Sequence, residues 1–319
     1  MKKQILTLLT IVPLLTFGQA NKLYRKAMRS TDLNQKITLL TQVIDLEPKN
    51  LDAYFYRGLA KNDLGDYNGA IVDYSKIIVD QPDADTYYNR GNSRYSIKDF
   101  AGAKEDYAKA FMLDENFTDA LYSLACVKYD LGDYEAAIKD FSSVIKTVPN
   151  QPKTYTLRAH AYKATENYMN ALQDYSTAIL IEPSADSYYN RGVFFMDIKY
   201  YEKANNDLNM ALRLNKNNAY AYFYRGASHL LLGKFNEAIS DFSKAIEFDS
   251  TDFDAYLGLA IAQFKINDTD HAKLNFHRAN DILSIGKSIT NIQQYSNTYW
   301  FQNQYFYFNN NISQLVKMK

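Results

Sequence analysis

The sequence is poor in the residues that make tight turns and covalent staples. One cysteine, Cys126, stands among 319 residues, so no disulfide can close within the chain. Twelve glycines and six prolines are too few for a sandwich or barrel, in which a turn follows every short strand. Neither sign of charge is in excess: 36 Lys plus Arg balance 36 Asp plus Glu. Without a basic field to neutralise phosphates, nucleic acid is not expected as a general partner. The four histidines, His160, His229, His271 and His277, lack metal-ligand spacing, and the last two lie on different faces of any helix that holds both. There is no glycine-rich phosphate loop and no nucleophile elbow. Cys126 has no base near it in sequence and reads as a small residue of an inner helix. No catalytic residue, metal ligand or cofactor is expected.

What is present is apolar material, 47 % of the residues, enough for a continuous core and against disorder over most of the length. The one long apolar run, Ile5 to Phe17, follows Lys2 and Lys3 and precedes the small residues around Gly18-Gln19-Ala20. That is the pattern of a secretory signal peptide, and the run is short for a bilayer span. Residues 1–20 are therefore expected to be a leader, cut after Ala20 or after Gly18. The mature protein is then expected to be exported, periplasmic or secreted, with no stable membrane insertion.

A strong internal period fills the rest. Ala70, Ala103, Ala137, Ala171, Ala204, Ala238 and Ala272 recur at intervals of 33 or 34 residues. Twelve positions before each stands another small residue: Gly58, Gly91, Ala125, Ala159, Gly192, Gly226 and Ala260. Four after each alanine comes a large apolar residue (Tyr74, Tyr107, Phe141, Tyr175, Leu208, Phe242, Phe276), and three further on a small or β-branched one. Offsets of four and seven share one helical face. The small pair, one on each helix, lets two antiparallel helices cross closely. Breakers such as Leu64-Gly65-Asp66-Tyr67 and Leu232-Gly233-Lys234-Phe235 end one helix and start the next. Pro48, Pro82, Pro149 and Pro183 punctuate the turns between units. Two units carry near-identical text at residues 82–91 and 183–192, three repeats apart, which reads as duplication of a block.

These features resemble the tetratricopeptide repeat family. The shared motif is an aromatic in the first helix (Tyr54, Tyr87, Tyr155, Tyr188, Tyr222, Tyr256), the small residue, Leu-Gly-x-aromatic, and the alanine. The chain looks like an exported, bacterial-type member. The resemblance implies an all-α, right-handed superhelical solenoid of antiparallel helix pairs. Seven repeats would span 51–286, behind a degenerate N-terminal cap over 21–50 in which Lys36 replaces the alanine. It also implies a non-catalytic scaffold or adaptor whose first helices line a concave groove for a protein or peptide. The clamp by which some members hold a terminal carboxylate is echoed only by Asn89, Asn92 and Asn190, and the ladder position carries no Lys.

By register, the groove positions are Phe55, Tyr88, Tyr122, Thr156, Tyr189, Phe223 and Leu257, an aromatic ladder broken at Thr156. Asn92 and His160 lie one turn on, and Tyr95 and Tyr129 lie beyond them. Aromatic rings of this kind often anchor partners; here they can equally pack on neighbouring repeats. A glycan or cell-wall ligand stacked on the tyrosines is the alternative. Acids at the starts of first helices (Asp52, Asp85, Asp119, Asp186, Asp254) suit the helix dipole and its orphan N–H groups. Arg57, Arg90, Arg158, Arg191 and Arg225 are expected to pair with Asp73, Asp106, Asp174, Asp207 and Asp241; Asp140 recurs at the same second-helix position.

The last stretch, 287–319, leaves the repeat. Ile289, Ile292, Tyr295 and Tyr299, then Phe301, Tyr305, Phe308, Ile312 and Leu315, suit amphipathic helices. The segment, with the only tryptophan, Trp300, is expected to cap the open face of the last repeat. An aromatic element for a partner, or self-association with a second copy, is the alternative.

Overall fold

A computed structural model of the chain describes residues 18–284 and 292–317. The run Ile5–Phe17 and the positions Ser288 and Ile289 lie outside the described residues. Every regular element described is helical. A helix through residues 18–29 (α1) is followed by α2 (Leu33–Leu46). Then come the pairs α3/α4 (Leu51–Asp63, Tyr67–Asp80), α5/α6 (Ala84–Ser96, Phe100–Leu113), α7/α8 (Thr118–Asp130, Tyr134–Thr147) and α9/α10 (Pro152–Ala164, Tyr168–Ile181). The pairs α11/α12 (Ala185–Asp197, Tyr201–Leu214), α13/α14 (Ala219–Leu231, Phe235–Phe248) and α15/α16 (Phe253–Lys265, Thr269–Ser284) complete the series. A 3-10 turn (Ile292–Tyr295), α17 (Tyr299–Asn303) and α18 (Tyr305–Lys317) end it. The chain divides into two compact units, residues 1–150 with 160–167, and residues 151–159 with 168–319. Within each, antiparallel pairs stack side by side, the solenoid arrangement of tetratricopeptide repeats, and the second unit carries the extra C-terminal helices.

The period explains the packing. All seven alanines, and the residues four and seven after each, are at most 5 % exposed. They face the small residue of the partner helix. At Gly58 a Cβ would lie 2.7 Å from Cε1 of Tyr74, and at Gly91 2.8 Å from Cε1 of Tyr107. Large side chains there would force the helices apart. In unit one, Ala20 and Ala27 of α1 are fully buried with Leu39, Leu40, Val43, Ile44 and Ala53.

Within each pair the turn needs one residue in the left-handed region. Gly65, Gly132 and Gly233 supply it without strain at φ 75° to 82°. Lys98, Glu166, Lys199 and Asn267 hold the same place at φ 59° to 64°. Lys199→Gly is therefore expected to stabilise the chain by about 0.5–1 kcal/mol, the left-handed penalty less the added unfolded-state entropy. A denaturant melt without that gain would show that the lysine makes compensating contacts.

The arginine–aspartate pairs form. Arg57, Arg90, Arg158, Arg191 and Arg225 each grip Asp73, Asp106, Asp174, Asp207 or Asp241 with two N–H donors at 2.6–2.9 Å. A third donor reaches the preceding second helix, at Thr41 from Arg57, Ser75 from Arg90, Ser176 from Arg191 and Asn209 from Arg225. Each of these guanidinium groups thus ties a repeat to the one before it. Four also lie over the aromatic three residues earlier, Tyr54, Tyr87, Tyr155 and Tyr222, at 5.5–5.7 Å. Asp140 has leucine, Leu124, where an arginine would stand, and Lys128 one turn on bonds it instead.

The acids stand in the first turns of their helices, as expected, beside separate cap residues. Asn50, Asp83, Ser184 and Asp252, each two residues earlier than an expected acid, accept the backbone N–H at N3. The Ncap geometry needs a non-helical residue, and Asp52, Asp85, Asp186 and Asp254 are already inside the helix. The C-terminal stripe also differs from expectation. The helix breaks at Gln304, and Phe301 and Tyr305 meet edge to face, ring centroids 5.0 Å apart, with Tyr305 38 % exposed. Trp300 and Gln304 are buried in their place, while Phe308, Ile312 and Leu315 are buried as expected.

Candidate functional site

The ladder residues share one face because each lies three residues before the small residue of a first helix, offset from the face that packs on the second helix. In unit one this face stays partly open. Phe55, Tyr88, Tyr122 and Tyr129 are half-buried, each ring resting on its own repeat or the next: Phe55 on Tyr74, Tyr88 on Phe117 at 4.8 Å, Tyr122 on Phe141, Tyr129 on Tyr134. Tyr95 is 37 % exposed and donates its hydroxyl to Asp130 Oδ2. That bond, with burial behind it, raises its pKa to about 12. Asn92 Oδ1 accepts the Tyr107 hydroxyl at 2.8 Å. Burial, with Lys163 adding repulsion, lowers His160 to about 4, so its ring is neutral at neutral pH. Burial raises Tyr122, Tyr129 and, in unit two, Tyr189.

Between α3 and α5 lies a cleft of about 290 Å³. Phe55, Tyr56 and Ile77 give it apolar walls, and Asp52, Asp83 and Asp85 give it carboxylates. Asp83 is committed to capping α5 through Thr86, whereas Asp52 and Asp85 are exposed.

In unit two the same face is covered by the chain itself. Phe223, a groove candidate by register, is 6 % exposed, and Leu257 is fully buried. The Trp300 ring meets those of Phe223 and Phe242 at 6.1 and 5.9 Å, while Tyr299 stands edge-on to Phe223 and Tyr224. Trp300 Nε1 donates to the Asp254 carbonyl at 2.8 Å, and the Tyr299 N–H donates to the Asp254 carboxylate at 2.9 Å. Tyr201 donates to Gln304 Oε1, and Tyr295 donates to Asn280. Tyr189 remains half-buried, its ring edge-on to Tyr224. The sequence reading missed Tyr224, Asp254 and Gly258 as parts of this site. One signal was available: the position of Gly258 carries a side chain in every other first helix of the repeats, as Tyr56, Asn89, Ser123, Leu157, Asn190 and Tyr224.

Burial raises the Asp254 carboxyl from its ordinary 3.8 to about 7, against the pull of the Tyr299 amide and with Asp252 adding repulsion. The docked form therefore binds more protons than the free one between these values. Docking is strongest below the lower value and weakens as pH rises through the upper one. The thermal transition of Trp300 emission is expected to fall from about pH 5 to about pH 8, and Asp254→Asn is expected to flatten that dependence. An unchanged profile in the variant would assign the effect elsewhere.

Among the described residues no group of three His, Cys, Asp or Glu side chains is placed to hold a metal, and no helix is long and apolar enough to cross a membrane.

Profiles of the tetratricopeptide repeat match six consecutive segments, 52–84, 84–117, 119–150, 152–184, 185–218 and 219–252. Tetratricopeptide repeat protein 13 of Homo sapiens is 31 % identical over 134 residues, which is 42 % of this chain and 16 % of that protein. The DnaJ homolog subfamily C member 7 homolog of Schizosaccharomyces pombe is 26 % identical over 201 residues, 57 % of this chain and 40 % of that protein. The chain thus spans well under half the length of these curated relatives. A tetratricopeptide repeat protein from Parabacteroides merdae superposes with a TM-score of 0.60 at 18 % identity, covering 77 % of this chain and 99 % of that one. A chain of the APC/C hetero-tetramer Cut9–Hcn1 gives 0.55 at 16 % identity, covering 88 % of this chain and 54 % of that one. Both structural likenesses are of fold alone. Repeats of this kind are protein-interaction modules and usually non-catalytic. With matching segments over more than half its residues, the chain belongs to the tetratricopeptide repeat family.

Proposed function

We propose that this protein is a non-catalytic adaptor that holds a protein or peptide segment on the first-helix face of unit one. One observation carries the reading. In unit two the ladder face takes up an aromatic segment, the chain's own, between Phe223, Tyr224 and Asp254. The register equivalents in unit one, Phe55, Tyr56 and Asp85, line an open cleft. The unit-one version is shallower, since Asn89 stands where unit two has Gly258 and its amide donates to the Asp85 carbonyl. It suits a smaller or flatter side chain than indole.

Rings with two rotatable bonds give contact area at low entropy cost, and the best such anchors contribute about 2 kcal/mol or more. Phe55→Ala with Tyr88→Ala is expected to weaken capture of the partner by about 30-fold or more, roughly the equivalent of one strong anchor. The measurement is titration against a partner identified by mass spectrometry from native lysate, with thermal melts to show that the variant is folded. Unaltered affinity would sink the assignment of this face. Retention of wall polysaccharide with no captured protein would favour the glycan reading.

We further propose export to the envelope space or outside the cell, on the strength of the Lys2-Lys3 start and the apolar run to Phe17. A cut after Gly18 keeps Ala20 in its buried cluster, whereas a cut after Ala20 removes it. N-terminal sequencing of protein from the envelope fraction is expected to begin at Gln19. A full-length chain confined to the cytoplasm would end this reading.

A further inference from the structure

The segment from Thr298 to Gln304 meets unit two the way a separate peptide would. Its short helix caps itself, Thr298 Oγ1 accepting from the Phe301 N–H. Its anchors are local: the Tyr299 N–H on the Asp254 carboxylate, the Trp300 indole N–H on the Asp254 carbonyl, and Gln304 on the Tyr201 hydroxyl. All three contacts come from seven consecutive residues, so a free peptide of that sequence contains everything the site recognises. The site is also opened for an indole. A Cβ at Gly258 would lie 2.7 Å from Trp300 Cζ2 and 2.5 Å from Phe242 Cζ, and every other first helix of the repeats has a side chain there. Glycine inside a helix is costly relative to alanine, by about 1 kcal/mol, unless something must come close.

We propose that Phe223, Tyr224, Phe242, Asp254 and Gly258 form a second recognition site, specific for a Tyr-Trp-type aromatic pair at the start of a helical turn, and that residues 298–304 occupy it as a built-in competitor. The partner is a protein segment of the same chemistry, which must displace this one to bind. The inference rests on the reading that the ladder face binds protein segments, and it adds which segment chemistry unit two selects.

The test uses the full chain and a labelled peptide of the sequence Ser296 to Phe306. Wild type, Trp300→Ala, and Trp300→Ala with Gly258→Leu are titrated by fluorescence anisotropy. Trp300→Ala is expected to bind the peptide at least about 10-fold more tightly than wild type, because the competitor has lost its anchor. Adding Gly258→Leu, which plugs the vacated space, is expected to abolish binding, as is alanine in place of tryptophan in the peptide. In wild type, a peptide carrying a non-fluorescent tryptophan analogue is expected to red-shift the emission of Trp300, the only tryptophan. That second readout stands even if Trp300→Ala does not fold. The proposal is overturned if the peptide binds all three proteins alike, or if saturating silent peptide leaves the Trp300 emission unchanged. A shift accompanied by dimer formation in sedimentation would overturn it in favour of exchange between copies. Loss of partner capture by the Phe55 and Tyr88 variant, with no peptide effect here, would leave the unit-one reading intact and remove only this one.

Discussion

Asp73→Ala is expected to cost about 3–5 kcal/mol of stability, because it strands two buried cations. The Asp73 carboxylate is fully buried, and its oxygens receive Arg57 Nη2 at 2.6 Å, Arg57 Nε at 2.9 Å and Lys61 Nζ at 2.9 Å. The side chains of Arg57 and Lys61 are 14 % and 17 % exposed, so water cannot replace the lost acceptor in full. The damage extends beyond one pair, since Arg57 also holds Thr41 of the preceding helix pair. Asp140→Ala is the matched control. Its carboxylate is 14 % exposed and has Lys128 as its ion-pair partner, so a smaller loss is expected. Urea unfolding followed by circular dichroism measures both. Equal losses would show that the fork geometry of arginine contributes nothing beyond charge.

Phe242→Ala is expected to cost a similar amount, about 3–5 kcal/mol, and to release the C-terminal segment as well. Phe242 is fully buried where several elements meet: its ring fills the space left by Gly226 and Gly258 and packs against Phe223 and Trp300. Removing it opens a cavity beneath Trp300, which backbone relaxation can close only in part. The lone tryptophan reports the second effect separately, its emission moving to the red as the ring meets water. A stability loss with unchanged Trp300 emission would mean that the segment is held mainly by Asp254 and Gln304. Phe141, also fully buried, stands at the same register position in unit one and serves as the comparison, since its substitution should lower stability without touching Trp300 emission.

Much of this was legible in the residues. The third partner of the arginines, at Thr41, Ser75, Ser176 and Asn209, recurs with the same period and could have been read from spacing. Gly258 could also have been noticed as the one gap in a column of side chains. The break at Gln304 could not, because Phe301 and Tyr305 extend the apolar stripe of Phe308, Ile312 and Leu315 at helical spacing, whereas the buried pair is Trp300 and Gln304. Only those first two positions compete, and the choice between them depends on which face meets Asp254 and Phe223.

What the amino-acid order determined by itself is the helix pair and its repetition. Those contacts lie within 12 to 34 residues of one another, so a local period encodes them directly. Tertiary structure alone decided which ladder positions are free. The closure of Phe223 depends on Trp300, 77 residues further along the chain, and no period links the two. A long-range contact between a repeating face and a non-repeating segment leaves no pattern in either, because each residue would look the same if the other were absent.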